Sequence, residues 1–167
     1  MESTAEKTRY ITILRHLFSI VMHNFISDIS HYDIVLNLAI QAKNSLWIGT
    51  ADIKDLYVIQ GRTEKPFLGI LSELIGHGVE VRLIHAKEPG PNFRKDFDKY
   101  PSLARMLERV LCPRVHFKII IIDQKICYIG SANLTGAGMG MKSAYRRNFE
   151  AGILTDNSDI VNAAFDE

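Results

Sequence analysis

Cysteine is scarce in this chain, with only Cys112 and Cys127 among 167 residues. Two thiols without further Cys and His at ligand spacing argue against a structural zinc site and a disulfide framework, and they fit a reducing compartment. An excess of one charge is missing too: 20 Lys and Arg against 19 Asp and Glu leave a formal net charge of +1. No global field therefore advertises nucleic acid or an anionic membrane as partner, and any anion site must be local. The N-terminus carries Glu2 and Glu6 where a secretory signal would be basic, so the cytoplasm is the expected location. The apolar residues between Tyr10 and Ile26 are broken by Arg15, His16, His23 and Asn24, which favours an amphipathic helix over a bilayer span. Internal repeats and low-complexity segments are absent as well.

What is present is apolar residue in quantity, 47% of the chain, enough for one core and one domain. Ile11, Leu14, Leu17, Phe18 and Val21 recur at helical spacing and predict an N-terminal helical segment over residues 1–28. A second helix is expected from Ser30 to Ala42, followed by a first strand at Leu46–Gly49. Pro66 opens a further helix that Gly76 and Gly78 close, and Val79–Ile84 reads as strand, the construction of a parallel pair. Phe93–Leu111 reads as helix despite Pro101. Val115–Ile122 is a β-branched run, Ile126–Ile129 its hairpin return, Asn148–Leu154 another strand, and a closing helix starts at Asp156 or Ser158. The expected architecture is α/β, a mixed sheet flanked by helices on both faces, with a core over residues 45–167. The last residues, Asp166 and Glu167, fall inside that helix, so further domains in a longer protein are expected.

The buried-strand pattern at Val115–Ile122 is interrupted by two polar residues, His116 and Lys118. Strand alternation sends both to one face and Phe117 to the other. A two-residue turn at Gln124 and Lys125 would bring Ser131 opposite Lys118 and Asn133 opposite His116. An imidazole, an ammonium, a hydroxyl and an amide then surround one small volume. That set suits a phosphate: Lys118, Asn133 and Ser131 donate hydrogen bonds, Gly130 allows close backbone approach, and the imidazole is left to attack phosphorus.

The run His116, Phe117, Lys118, four isoleucines, Asp123, and then Gly130, Ser131, Ala132, Asn133 resembles the phospholipase D signature at its full spacing. Asn148, Phe149, Glu150 is similar to the family's acidic residue on the following strand, and Gly78–Arg82 to its second-strand entry. The resemblance implies His116 as nucleophile, Lys118 and Asn133 as phosphate clamp, Ser131 as supporting donor, and Asp123 and Glu150 as acidic companions. Of the two carboxylates, Glu150 is the better candidate for orienting His116. Displacement through a phosphohistidine needs a second group to protonate the leaving oxygen. None of His16, His23, His31, His77 or His85 opens a second motif, so a homodimer with both His116 side chains facing one phosphate is implied. No cofactor and no divalent metal are expected.

Motif and fold leave the substrate open. The short single-motif chain resembles the family's bacterial endonucleases, which makes nucleic acid the first expectation and non-specific DNA cleavage its concrete form. Lys142, Arg146 and Arg147 would form a local basic rim for it, and Gly136, Gly138 and Gly140 a flexible edge. A phospholipid hydrolase or transphosphatidylase, with Tyr10–Ile26 as a membrane-surface helix, is the alternative enzyme. A nucleic-acid-binding module that keeps the phosphate site without turnover is the non-catalytic alternative.

Overall fold

The computed structural model describes residues 21–54, 56–61, 63–88 and 90–167. Residues 1–20 of the expected N-terminal helix lie outside that range; the remainder of the expectation is corrected. His23–Ser27 is an edge strand, β1, paired antiparallel with β11 (Ala151–Thr155). Alternation explains the difference, since Ile26 is fully buried while Phe25 beside it is 71% exposed. A core starting at residue 45 is too short, because β1 belongs to the main sheet.

The main sheet has seven strands in the order β1-β11-β9-β8-β2-β6-β7. Its central strand is β8 (Lys118–Ile122), antiparallel to its neighbour β2 (Ser45–Thr50), which is in turn parallel to β6 (Glu80–His85). Between β2 and β6 the chain forms β3 (Ile53–Lys54), the hairpin β4 (Tyr57–Gln60) and β5 (Thr63–Pro66), and helix α3 (Phe67–Gly76). The expected helix at 93–111 is corrected: α4 (Pro91–Phe97) and α5 (Pro101–Met106) are separate, and Glu108–Leu111 is strand β7, parallel to β6. Pro101, which lacks the N–H needed inside a helix, instead starts a new one. The second expected helix is a π-helical turn, α1 (His31–Leu36), running into the short α2 (Asn37–Ala39).

One sheet face carries Leu46, Ile48, Ile120, Tyr128 and Leu154, which share a core with Val35 and Leu36 of α1, Ala39 of α2, and Ile70 and Leu71 of α3. Each such aliphatic side chain taken fully out of water contributes about 1.5–3 kcal/mol. The other face is covered by α6 (Ser158–Asp166), whose Val161 meets Ile121 and Cys127. Asn157 caps this helix by accepting from the amides of Asp159 and Ile160 at 3.0 Å each, one position from either expected cap. Trp47 stacks on Phe165 at 4.0 Å between ring centroids, with the Arg82 guanidinium 4.0 Å above the indole.

In β9 (Ile126–Gly130) the buried Tyr128 ring lies under two glycines, Gly130 and its cross-strand partner Gly152. A Cβ on Gly130 would stand 2.2 Å from the Tyr128 hydroxyl, and one on Gly152 2.5 Å from the ring. The ring occupies the space that two side chains would need.

Candidate active site

The expected hairpin register is off by one. Ile122 pairs with Ile126, so the turn has three residues, 123–125, and Lys118 lies opposite Gly130 instead of Ser131. Asp123 and Gln124 take left-handed backbone conformations, with φ of 53° and 52°. Asp tolerates that region better than most residues, and Asp123 is held in it from outside. Its carboxylate accepts the amides of Lys43 (3.0 Å), Asn44 (2.6 Å) and Ser45 (3.0 Å) at the start of β2. Burial acts to raise the pKa of Asp123, but these amide bonds outweigh it and hold the group below the usual carboxylate value.

This geometry corrects the place of Asp123. It sits beyond the far end of β8 from Lys118, about 17 Å along the strand. It is a staple between the β8–β9 turn and β2, and no companion of His116.

The other end of β8 carries Lys118, with His116 two residues ahead of it. Lys118 is buried, and its ammonium donates to the carbonyl of His116 at 2.7 Å. That leaves two of the three ammonium hydrogens for a ligand. His116 lies just ahead of the strand with an exposed side chain, and among the described residues its imidazole makes no hydrogen bond. Asn133 is half-buried, and its side-chain oxygen accepts the backbone N–H of Asp52 at 3.2 Å. With the acceptor so engaged, what Asn133 offers outward is its NH2 group, the end that a phosphate oxygen requires.

Two residues without a motif signature build this corner. Thr50, at the end of β2, donates its hydroxyl to the carbonyl of Asp52 (2.8 Å) and accepts the amide of Leu134 (3.0 Å). It thereby ties the β2 terminus to the segment that carries Asn133, next to the parallel pairing of β3 with β10 (Leu134–Thr135). Asp52 in turn pairs with Lys54 at 3.0 Å and Lys87 at 3.8 Å. The only sequence signal for Thr50 was a hydroxyl closing an apolar strand run.

Ser131 turns away from the expected position. Its hydroxyl donates to Glu150 in a short hydrogen bond and accepts the amide of Ala151 at 3.1 Å. Glu150 also accepts from the Asn148 side chain at 3.0 Å. Extending the ladders two pairs past their last partners sets Glu150 two strands from His116, about 10 Å between backbones. Among the described residues neither Glu150 nor Asp123 bonds to the imidazole.

The glycines expected to be flexible are buried, and Gly138 and Gly140 are close-packed. A Cβ on Gly138 would meet the Asn133 carbonyl at 2.6 Å, and Gly140, at φ +78°, lies against the Asp28 backbone. The turn they form is fastened by the amide of Gly138 on the Thr135 hydroxyl (3.0 Å) and that of Met139 on the Thr135 carbonyl (2.8 Å). Of the basic rim, Arg146 is exposed while Lys142 and Arg147 are half-buried, all on the loop that leads to Glu150. Next to the Lys118 row, His85 is fully buried; its Nδ1 meets the Lys87 carbonyl at 2.8 Å and its Nε2 accepts from Arg109 at 2.9 Å.

The site lies at the carboxyl ends of the parallel strands β2 and β6, where open α/β sheets bind ligands. Among the described residues no group of three or more His, Cys, Asp or Glu side chains is placed to hold a metal, and no helix is long and apolar enough to cross a membrane.

Residues 35–167 match the family model for the phospholipase D-like domain of cardiolipin synthase. Among functionally curated proteins none matches the sequence. Among solved structures, NucT from Helicobacter pylori aligns with a TM-score of 0.64 at 18% identity, over 88% of this chain and 92% of that one. Nuc from Salmonella typhimurium, a phospholipase D family member, aligns with a TM-score of 0.60 at 19% identity, over 88% and 91%. TrmBL2, an archaeal chromatin protein with a novel mode of DNA binding, aligns with a TM-score of 0.58 at 13% identity, over 97% of this chain and 57% of its own.

Proposed function

The chain belongs to the phospholipase D-like family, and from that premise we propose that it is a phosphodiesterase working through a phosphohistidine at a homodimer interface. What supports the reading is the placement near one end of β8 of a buried lysine and, just ahead of it, an exposed histidine whose imidazole makes no hydrogen bond among the described residues, together with an asparagine whose side-chain oxygen is engaged by the Asp52 amide. A neutral His116 attacks phosphorus, a P–N bond forms, and the P–O bond to the leaving group breaks. The His116 of a second copy, entering protonated, gives its proton to the leaving oxygen. It then takes a proton from the water that attacks the phosphohistidine, and the first imidazole is released. Lys118 and Asn133 of both copies donate to the non-bridging oxygens and offset the charge that builds there, which leaves no task that only a metal could perform.

Ser131 enters this scheme through Glu150, as a support for the rim and not as a phosphate donor. Nucleic acid is the substrate we propose, cleaved internally and without sequence preference, with Lys142, Arg146 and Arg147 contacting flanking phosphates. The resemblance of this short chain to the family's single-motif endonucleases supports that choice, as does the likeness of fold to a DNA-binding chromatin protein. The cytoplasm is the proposed site of action.

The test is hydrolysis of bis-p-nitrophenyl phosphate and of plasmid DNA in the presence of chelator, by wild type and by His116→Asn. Turnover by the wild type alone, falling faster than linearly on dilution into the monomer range, is the expected result. Abolition by chelator, or equal rates for the two proteins, would overturn the scheme. Lipid hydrolysis without plasmid nicking would move the substrate to phospholipids.

A further inference from the structure

Two aromatic side chains beside the site belong to neither core cluster: Tyr145 is 101% exposed and Phe149 96%. They bracket Arg146 and Arg147 in the loop that ends at Glu150. The backbone presenting them is tied down. The amides of Arg146 and Arg147 both bond to the Ser143 carbonyl, at 2.8 and 3.0 Å, and the amide of Asn148 bonds to the Ala137 carbonyl at 3.1 Å. The Asn148 side chain then reaches Glu150, and Glu150 reaches Ser131, two residues before Asn133 in the chain. Each ring is thus displayed on a fastened loop, five residues and one residue before Glu150, the support of the candidate site's rim.

Exposed rings alternating with arginines form the chemistry that binds a single nucleic-acid strand: bases stack on the rings while guanidinium groups meet the phosphates between them. We propose that Tyr145 and Phe149 are base-stacking residues that select unpaired strands for the site. A duplex keeps its bases stacked on each other and offers the rings nothing to replace that contact, so selectivity for single strands follows. The position of the platform rests on the phosphodiesterase reading, but stacking itself does not depend on turnover.

The experiment measures binding of a 5′-labelled 12-nucleotide thymidine strand, of an abasic strand of equal length, and of a 12-base-pair duplex. His116→Asn protein is used so that the probes stay intact. Fluorescence anisotropy is expected to show the thymidine strand bound at least tenfold more tightly than the other two probes. Tyr145→Ala and Phe149→Ala should each weaken it by about tenfold while leaving the abasic strand unaffected. Equal affinity for thymidine and abasic strands, or variants that bind thymidine undiminished, would overturn the proposal. So would a shift of either variant from dimer to monomer in light scattering, which would assign the rings to the subunit interface. Hydrolysis of bis-p-nitrophenyl phosphate by the wild type decides the enzymatic reading separately.

Discussion

Replacing Asp123 by Ala separates a structural carboxylate from a catalytic one. In the folded protein its oxygens take the amides of Lys43, Asn44 and Ser45, all within 2.6–3.1 Å. A hydrogen bond to a charged group contributes about 1.5–3 kcal/mol, but most of these bonds lie at the surface, where water replaces the lost acceptor. The change should therefore cost about 2–3 kcal/mol, less than the sum of three such bonds. In a chain of this size that corresponds to a fall in Tm of about 5–10 °C. The pKa of Asp123 is depressed in the folded state, so its contribution is fully present above about pH 4 and is withdrawn as pH falls through the folded-state value. The wild type should lose stability along that acid limb, and the variant should lose correspondingly less. Urea melts between pH 3 and 7 measure the effect, and kcat on bis-p-nitrophenyl phosphate at 15 °C, where the variant is folded, is expected to stay within about twofold of the wild type given the separation of about 17 Å. A collapse of kcat with Tm unchanged would refute the assignment and restore Asp123 to the chemistry.

Gly138→Ala forces a methyl group to within 2.6 Å of the Asn133 carbonyl oxygen, so the Asn133 backbone must move. We expect kcat to fall by more than tenfold and stability by about 1–3 kcal/mol, read by steady-state kinetics and urea melts. Thr50→Val strands the amide of Leu134 and the carbonyl of Asp52, at a cost of about 1–3 kcal/mol; a melt that matches the wild type would count against the tie. Burial pushes the Cys127 thiol up to about 11, while Cys112 is only half-buried. Ellman's reagent at pH 8 should therefore titrate one thiol in the native protein and two in urea. Burial lowers the pKa of His85, against the Lys87 carbonyl contact that raises it. The unfolded chain then binds the proton more readily, and stability should decline as pH falls below about 6.5 towards the folded-state pKa, a slope that His85→Gln should flatten in melts.

The sheet was legible where periodicity is strong. Leu46–Gly49 and Val79–Ile84 match β2 and β6 within one residue, and Val115–Ile122 matches β8 except that the strand starts three residues later, at Lys118. The failures have particular causes. His23–Ser27 joins an apolar stretch that fits a helix as well as an edge strand, because only its pairing with β11 decides. At 93–111 residues that favour helix flank Pro101, which starts a second helix, and the run ends in the strand β7. His116, Lys118 and Asn133 stand out in the sequence because they fall at a fixed spacing around a β-branched run. The hairpin register was not, since no glycine marks the turn and the three amides that hold Asp123 come from residues 78–80 positions away. Thr50 and Glu150 depend likewise on partners distant in sequence, and only assembly of the sheet reveals what they touch.

The nesting of the Tyr128 ring beneath Gly130 and Gly152 makes these positions one unit of inheritance. Either glycine can accept a side chain only after the ring has been exchanged for something smaller, and the ring can be lost cheaply only if a glycine position then fills the space. Substitutions taken singly are each harmful, whereas the right pair is tolerated. In related chains the three residues should therefore change together or stay fixed, and because Gly130 faces Lys118 across the hairpin, the sheet beneath the candidate phosphate site is among the slowest parts of the molecule to drift.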